Sequence, residues 1–414
     1  MRKVISIFAI FLSSIVLSGC WDRLEVNDLA IVLATGIDYE DERYQLTSQI
    51  FIPRKAGGGS SGGSEASPSG VTMTRTAEGS TVAEALNRLQ RKVPRNMFWG
   101  HCEVIVISEH AGKQGLRQYI DFLLRYPQFR EHAYVFSTSD SAKDILALLD
   151  PLERSSAESL REMANMKLGT RVTVLELAQS VEGPSRSATL SRMLMLPPDP
   201  GKDRYDSTPY IKGLSLYKND HYVKTVTEPM SVGILLLANE LENIIMPVQV
   251  KNMEGSFSIR PIEMHTVLTP KIINNEWRMQ VDVKSKGEVV LNTTDGNLTD
   301  PSILNELDQA WSEHLKELAE KALVMAQKQL KTDFFQFATE FRRHYPKQWN
   351  AQQKNWDELF STMDVQVKVE ALVTRTGKSI GHSRHTRAGH RVTSDDYSRV
   401  IFYFHKKCRE GWNK

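Results

Sequence analysis

Cysteine is scarce: the 414-residue chain has only Cys20, Cys102 and Cys408. Three thiols are too few for a disulfide-stapled scaffold or a four-cysteine zinc site, so a large core must supply the stability. Excess charge of one sign is missing too. A formal charge of +2 with 25% charged residues provides no general electrostatic reason to bind nucleic acid. Long apolar runs are absent beyond the first twenty residues. The most apolar later stretch, SVGILLLA at 231–238, is far shorter than the roughly 20 residues of a membrane span and runs at once into Glu240 and Glu242. There is no Gly-x-Ser-x-Gly, no His-Glu-x-x-His and no dinucleotide fingerprint. The length exceeds a single core of about 250–300 residues, so two or three packed units are expected.

What is present begins at the N-terminus. Arg2 and Lys3 form a basic n-region, Val4 to Leu17 is uncharged, and Ser18 and Gly19 are small residues suited to cleavage. As a helix this apolar stretch would extend about 21 Å, short of the roughly 30 Å hydrocarbon core, which favours an export signal over 1–19 rather than a permanent span. The Leu-Ser-Gly-Cys run that follows resembles a bacterial lipobox. Its cysteine, here Cys20, would carry a diacylglyceryl group on sulfur. Each buried methylene contributes about 0.8 kcal/mol and two acyl chains suffice for lasting attachment, so Cys20 is the candidate lipid-attachment site and the rest of the chain is expected outside the membrane.

Behind the anchor, DLAIVLATGIDY and RYQLTSQIFIP read as paired strands, and the Gly/Ser-rich segment 55–70 as a flexible loop about 20–24 Å end to end. That segment lacks the Gly-Lys-Ser/Thr ending of a phosphate-binding loop. VTMTRTAEG resumes as strand. TVAEALNRLQRKV has Thr81 and Glu84 at capping-box spacing and one apolar face, which predicts a helix. CEVIVIS, GLRQYIDFLLRYP, HAYVFSTS and SAKDILALLD then alternate strand and helix. Residues 20–195 are therefore expected to form a mixed α/β region with room for two subdomains, and the breaker-rich 196–209 a linker.

Residues 210–377 are expected to form a C-terminal α+β domain. It should open with a hairpin about Asn219-Asp220 and continue as an antiparallel sheet from FSIRPIEMHTVLTPKI and EWRMQVDVKSKGEVVL. Asp300-Pro301 supplies an N-cap and N1 pair for a long helix whose stripe, Ile303 to Leu330, should pack across that sheet, a coiled-coil dimer being the alternative. DVQVKVEALVTRTG from Asp364 returns to strand. The fold class is a multidomain α+β lipoprotein ectodomain. Residues 378–414 form a basic tail with His382, His385, His390 and Cys408 at spacings that match no common zinc site. Such a tail could also lie against anionic headgroups.

Two tempting sites fail on chemistry. Asp295, Asn297, Thr299 and Glu306 fall at calcium-loop positions 1, 3, 5 and 12, but Asp300 stands where glycine makes the turn. His101 and Cys102 are neighbours in a strand pattern and should point to opposite faces, which disfavours a catalytic dyad. No metal, cofactor or catalytic residue is expected.

Several separated stretches carry a resemblance. GCWDRLEVNDLAIVLATGIDY, FWGHCEVIVISEHAGKQGL, IKGLSLYKNDHYV and DFFQFATEFRRHYPKQW, with Trp356 and the strand ending at Gly377, together resemble the C-subunit lipoproteins of spore nutrient germinant receptors, the Ger(x)C family. The resemblance implies a non-enzymatic receptor subunit on the outer face of the spore inner membrane, partnered by two integral membrane subunits, A and B. This chain has Gln336 and Ala338 where that family usually has glycines, and its tail runs past the usual end. Trp21, Asp22, Arg23 and Glu25 either meet headgroups or partner loops or only lead the chain into its first strand. Two rivals stay open: a solute-binding lipoprotein that captures a ligand between domains, and a lipid-anchored cell-wall hydrolase.

Overall fold

Strand β1 (Leu29–Glu40) is buried on both faces from Ala34 to Asp38, the signature of a strand in the middle of a covered sheet. It belongs to a computed structural model that describes residues 28–52 and 71–375. The expected signal with Cys20 and residues 21–25, the loop 55–70 and the tail lie outside the described residues. β1 pairs antiparallel with β2 (Arg43–Phe51), which pairs with β3 (Thr72–Gly79). On its other side β1 runs parallel to β5 (Val104–Ser108), then come β6 (Tyr134–Thr138) and β7 (Ser187–Met195), also parallel. The short β4 (Asn96–Phe98) pairs with the start of β1.

Strict alternation along β5 feeds two cores: Ile105 and Ile107 point to one face, Val104 and Val106 to the other. The first face is covered by α1 (Val82–Gln90), α2 (Glu109–Gln114), α3 (Arg117–Arg125) and α6 (Val174–Glu182), the second by α4 (Ala142–Ala147) and α5 (Ser156–Asn165). Asp38 at the end of β1 accepts hydrogen bonds from the Ala142 and Lys143 amides at 2.8 and 3.1 Å, a charged cap that ties α4 to the sheet. Thr81 caps α1 as its spacing predicts, but the Glu84 carboxylate turns to Ser80 and not to Thr81.

One expectation changes. The hairpin of β8 (Pro209–Lys218) and β9 (His221–Val226), expected to open the C-terminal domain, pairs antiparallel with β7 and completes the first sheet. Its local pattern is as read, with Lys218 opposite His221 across the Asn219-Asp220 turn. The partner was a non-local choice: Leu214, Leu216 and Val226 join the second domain's core while Tyr217 joins the first. The hairpin is thus the seam shared by both cores.

Beyond it lie α7 (Met230–Leu237) and the sheet β10 (Met246–Val248), β11 (Phe257–Ile273), β12 (Glu276–Asn292) and β13 (Asp364–Arg375). β11 and β12 pair antiparallel as expected, whereas β13 joins parallel to β12, because a helical crossover returns the chain to the same end. That crossover starts with α8 (Pro301–Val324). Asp300 caps it through the Ser302 amide at 2.8 Å, and Leu307, Trp311, Leu315 and Leu318 are buried in its own domain's core, so the stripe serves the sheet and not a coiled coil. A π-helical turn (Met325–Leu330) follows, then α9 (Phe337–His344), α10 (Pro346–Gln352) and α11 (Trp356–Thr362). Among the described residues no helix is long and apolar enough to cross a membrane.

Candidate functional site

Cys20, the one site residue named from sequence, lies outside the described residues. Cys102 is fully buried, accepts or donates at Thr35 Oγ1 3.3 Å away, and burial pushes its thiol up to about 12. It is a packed, inert thiol, and His101 is exposed beside Phe98 instead. In the supposed calcium loop Asn297 accepts from the Thr299 amide and hydroxyl, and Asp300 from Ser302. These are turn and cap bonds. Among the described residues no cluster of three or more His, Cys, Asp or Glu is placed to hold a metal.

The structure instead brings together a cleft of about 740 Å³ between the two domains, a size suited to a small molecule. One wall is α6 and the start of β7, the other the end of α7, the middle of β11 and the stretch 334–342. Its construction starts from SVGILLLA. All of α7 from Ser231 to Leu237 is buried, and Gly233 lets it approach α8 so closely that a Cβ there would lie 2.2 Å from the Leu318 carbonyl oxygen.

The helix then stops in a Schellman turn. Asn239 takes a left-handed φ of 59°, its amide bonds Leu236 O at 3.2 Å and the Glu240 amide bonds Leu235 O at 2.8 Å. The Asn239 side chain accepts from the Thr266 amide at 2.8 Å, fastening the turn to β11. This arrangement delivers Glu240 to the cleft. Its carboxylate is reached by water, yet protein surrounds it on most sides. Loss of hydration, with some repulsion from Glu176, raises Glu240 to about 7. Among the described residues it has no hydrogen-bond or ion-pair partner. Glu176 itself is turned back into the capping box of Thr173.

The floor is made by the stretch DFFQFA. Asp333 is fully buried and accepts from the Phe335, Phe337 and Ala338 amides at 3.0, 3.2 and 2.8 Å, and from Ser185 Oγ at 2.8 Å. Ser187 also donates to the Asp333 carbonyl oxygen. Burial raises the Asp333 carboxyl, and the four donors oppose that. Gln336, between them, is left-handed at φ 64°. Further across the domains, Lys167 pairs with Glu242 at 2.7 Å and Lys218 with Asp357 at 2.8 Å. Sequence reasoning noticed DFFQFA only as part of a family block and Glu240 only as the end of an apolar run. An acid four residues before a helix was the available signal for Asp333, whereas nothing local marked Glu240.

Chemically the cleft can bind and orient. Among its described lining residues there is no thiol or histidine, and its acid–base groups are the carboxylates of Glu176, Glu182, Glu240 and Glu340.

Comparison with known proteins gives a consistent result. Residues 22–194 match the family described as spore germination protein N-terminal domain, and residues 212–377 match spore germination B3/GerAC like, C-terminal. The first sheet continues through the gap between those matches, since β8 starts at Pro209. Spore germination protein KC of Bacillus subtilis is 27% identical over 395 residues, covering 91% of this chain and 96% of that one. Spore germination protein B3 of the same organism is 23% identical over 384 residues, covering 91% and 99%. The crystal structure of the GerBC protein superposes with a TM-score of 0.55 at 18% identity, covering 82% of this chain and 97% of that one.

Proposed function

The chain belongs to the Ger(x)C family of spore germination proteins, and from that premise we propose that it is a lipid-anchored, non-enzymatic subunit of a nutrient germinant receptor. It stands on the outer face of the spore inner membrane beside the integral A and B subunits and is needed for the response to nutrients. The observation that carries this reading is the run Leu17 to Cys20 placed directly before a body whose two halves both match spore germination domains.

The physical logic is confinement. A diacylglyceryl group on Cys20 keeps the folded body close to partners in the same membrane, which raises their effective concentration. Surfaces of the two domains then complete the receptor, and no bond in a substrate needs to break. Affinity isolation of the full-length chain from spore inner membrane tests the assembly: both integral subunits should co-purify. Recovery of the chain without them would remove the receptor reading. Cys20→Ala should shift the chain from the membrane to the soluble fraction and weaken the nutrient response, and unchanged retention would remove the anchor.

A further inference from the structure

Given the anchor proposed at Cys20, on which this inference rests, one end of the body is held near the membrane. Only the eight residues 21–28 separate Cys20 from Leu29, the first residue of β1, so that end of the strand stays within about 30 Å of the lipid. β4 flanks it, with Asn96 opposite Leu29. Two helices on one face of the sheet end beside β4. Gln90, the last residue of α1, accepts from the Met97 amide at 2.9 Å. Just past α3, Gln128 accepts from the Trp99 amide at 3.2 Å, and Phe129 packs on Trp99 with ring centroids 4.9 Å apart.

This end is basic. Segments 91–103 and 124–132 carry Arg91, Lys92, Arg95, Arg125 and Arg130 against two acids, Glu103 and Glu131, and Glu103 is already held by Arg161 at 2.7 Å. Arg91, Lys92 and Arg125 stand at helix C-termini, where positive charge offsets the helix dipole and needs no outside partner. That reason does not reach Arg95 and Arg130, each five residues past the end of its helix. Neither they nor Arg91 have an ion-pair or side-chain hydrogen-bond partner among the described residues. Exposed Leu124 adds an apolar contact beside them.

We propose that this end of the first domain rests on the anionic lipid surface of the membrane that holds the anchor, with Arg91, Arg95 and Arg130 against its phosphate groups. The body is then held at two points, the acyl chains and this face, and keeps one orientation on the membrane.

The test uses the full-length lipidated chain on phosphatidylcholine vesicles with and without phosphatidylglycerol, both containing a lipid with a quencher on its headgroup. A fluorophore is placed by His132→Cys, or by Glu40→Cys at the other end of β1, with Cys408→Ser removing the competing thiol; Cys102 is buried. On the anionic vesicles the label at 132 should be quenched several-fold more than the label at 40, and high salt should remove the difference. Combined Arg91→Glu, Arg95→Glu and Arg130→Glu should also remove it, whereas lysine at the same three positions should keep it. Equal quenching at 132 and 40 on anionic vesicles, the same difference without phosphatidylglycerol, or no effect of charge reversal would each overturn the proposal. Flotation with phosphatidylcholine vesicles reports separately on the anchor: a chain that fails to float there lacks it, while the label at 132 on anionic vesicles still decides the face.

Discussion

Ser185 donates its hydroxyl hydrogen to the Asp333 carboxylate at 2.8 Å, across 148 residues of chain and across the boundary between the two domains. The same carboxylate organises the Phe335 amide just ahead of α9 and the Phe337 and Ala338 amides that begin it. One buried charge therefore fixes both the closing stretch and its seat on the first domain, a better use of a buried acid than an isolated ion pair.

Removing it leaves four donors without an acceptor. Asp333→Ala should destabilise the protein by about 3 kcal/mol or more, and Ser185→Ala by about 1–2 kcal/mol. The double variant should cost less than the sum, because the second truncation removes a donor already orphaned. Urea unfolding of the four proteins measures all three quantities, and strict additivity would show that the two groups do not act as a pair.

Gln336 sits at φ 64°, a region where a side chain costs about 1–2 kcal/mol and glycine almost nothing. Its side chain returns only one exposed bond, accepting from Thr339 Oγ1 at 3.0 Å. Gln336→Gly should therefore stabilise the protein by about 0.5 kcal/mol, and Gln336→Val should destabilise it by more than about 1 kcal/mol. A lower urea midpoint for Gln336→Gly would contradict this account. Ala338 needs no glycine, since it lies within α9 and gives its amide to Asp333.

Gly233 poses the reverse problem. Alanine is a better helix former by about 1 kcal/mol, but the added Cβ would stand 2.2 Å from Leu318 O and 2.9 Å from Ala322 Cβ, both on α8. Two packed helices would have to separate, and overpacking of this kind costs about 1–3 kcal/mol. Gly233→Ala should lower the urea midpoint without reducing helical circular dichroism. An unchanged midpoint would mean that α7 and α8 yield more easily than their packing implies.

Local periodicity made most elements legible: the strands flanking α1, the Asp300 cap, the long apolar stripe and the Asn219-Asp220 turn are all where residue spacing puts them. Pairing partners were not, because a hairpin's own sequence records which face is apolar and not which edge it will meet. Thus β8 and β9 read correctly as a hairpin and joined the other sheet. The cleft was illegible for the same reason. Glu240 and Glu176 lie 64 positions apart in the sequence, and their mutual repulsion exists only once the domains close on each other.

Glu240 also makes a pH prediction whose sign can be worked out. Its carboxyl titrates near 4.5 in the unfolded chain and at about 7 in the folded one. Between those values the native state holds more protons than the unfolded state, so stability falls as pH rises through that window and levels off above it. Asp333 and Asp38, whose carboxyls are also raised by burial, push in the same direction but are common to wild type and Glu240→Gln, so they cancel in a difference. The stability of Glu240→Gln minus that of wild type should therefore increase from pH 5 to about pH 7 and stay constant to pH 8.5. Because the side chain is open to water, the step should be smaller than the full shift implies. A difference independent of pH would mean that Glu240 titrates as an ordinary surface carboxylate, and the cleft would then hold no unsatisfied charge.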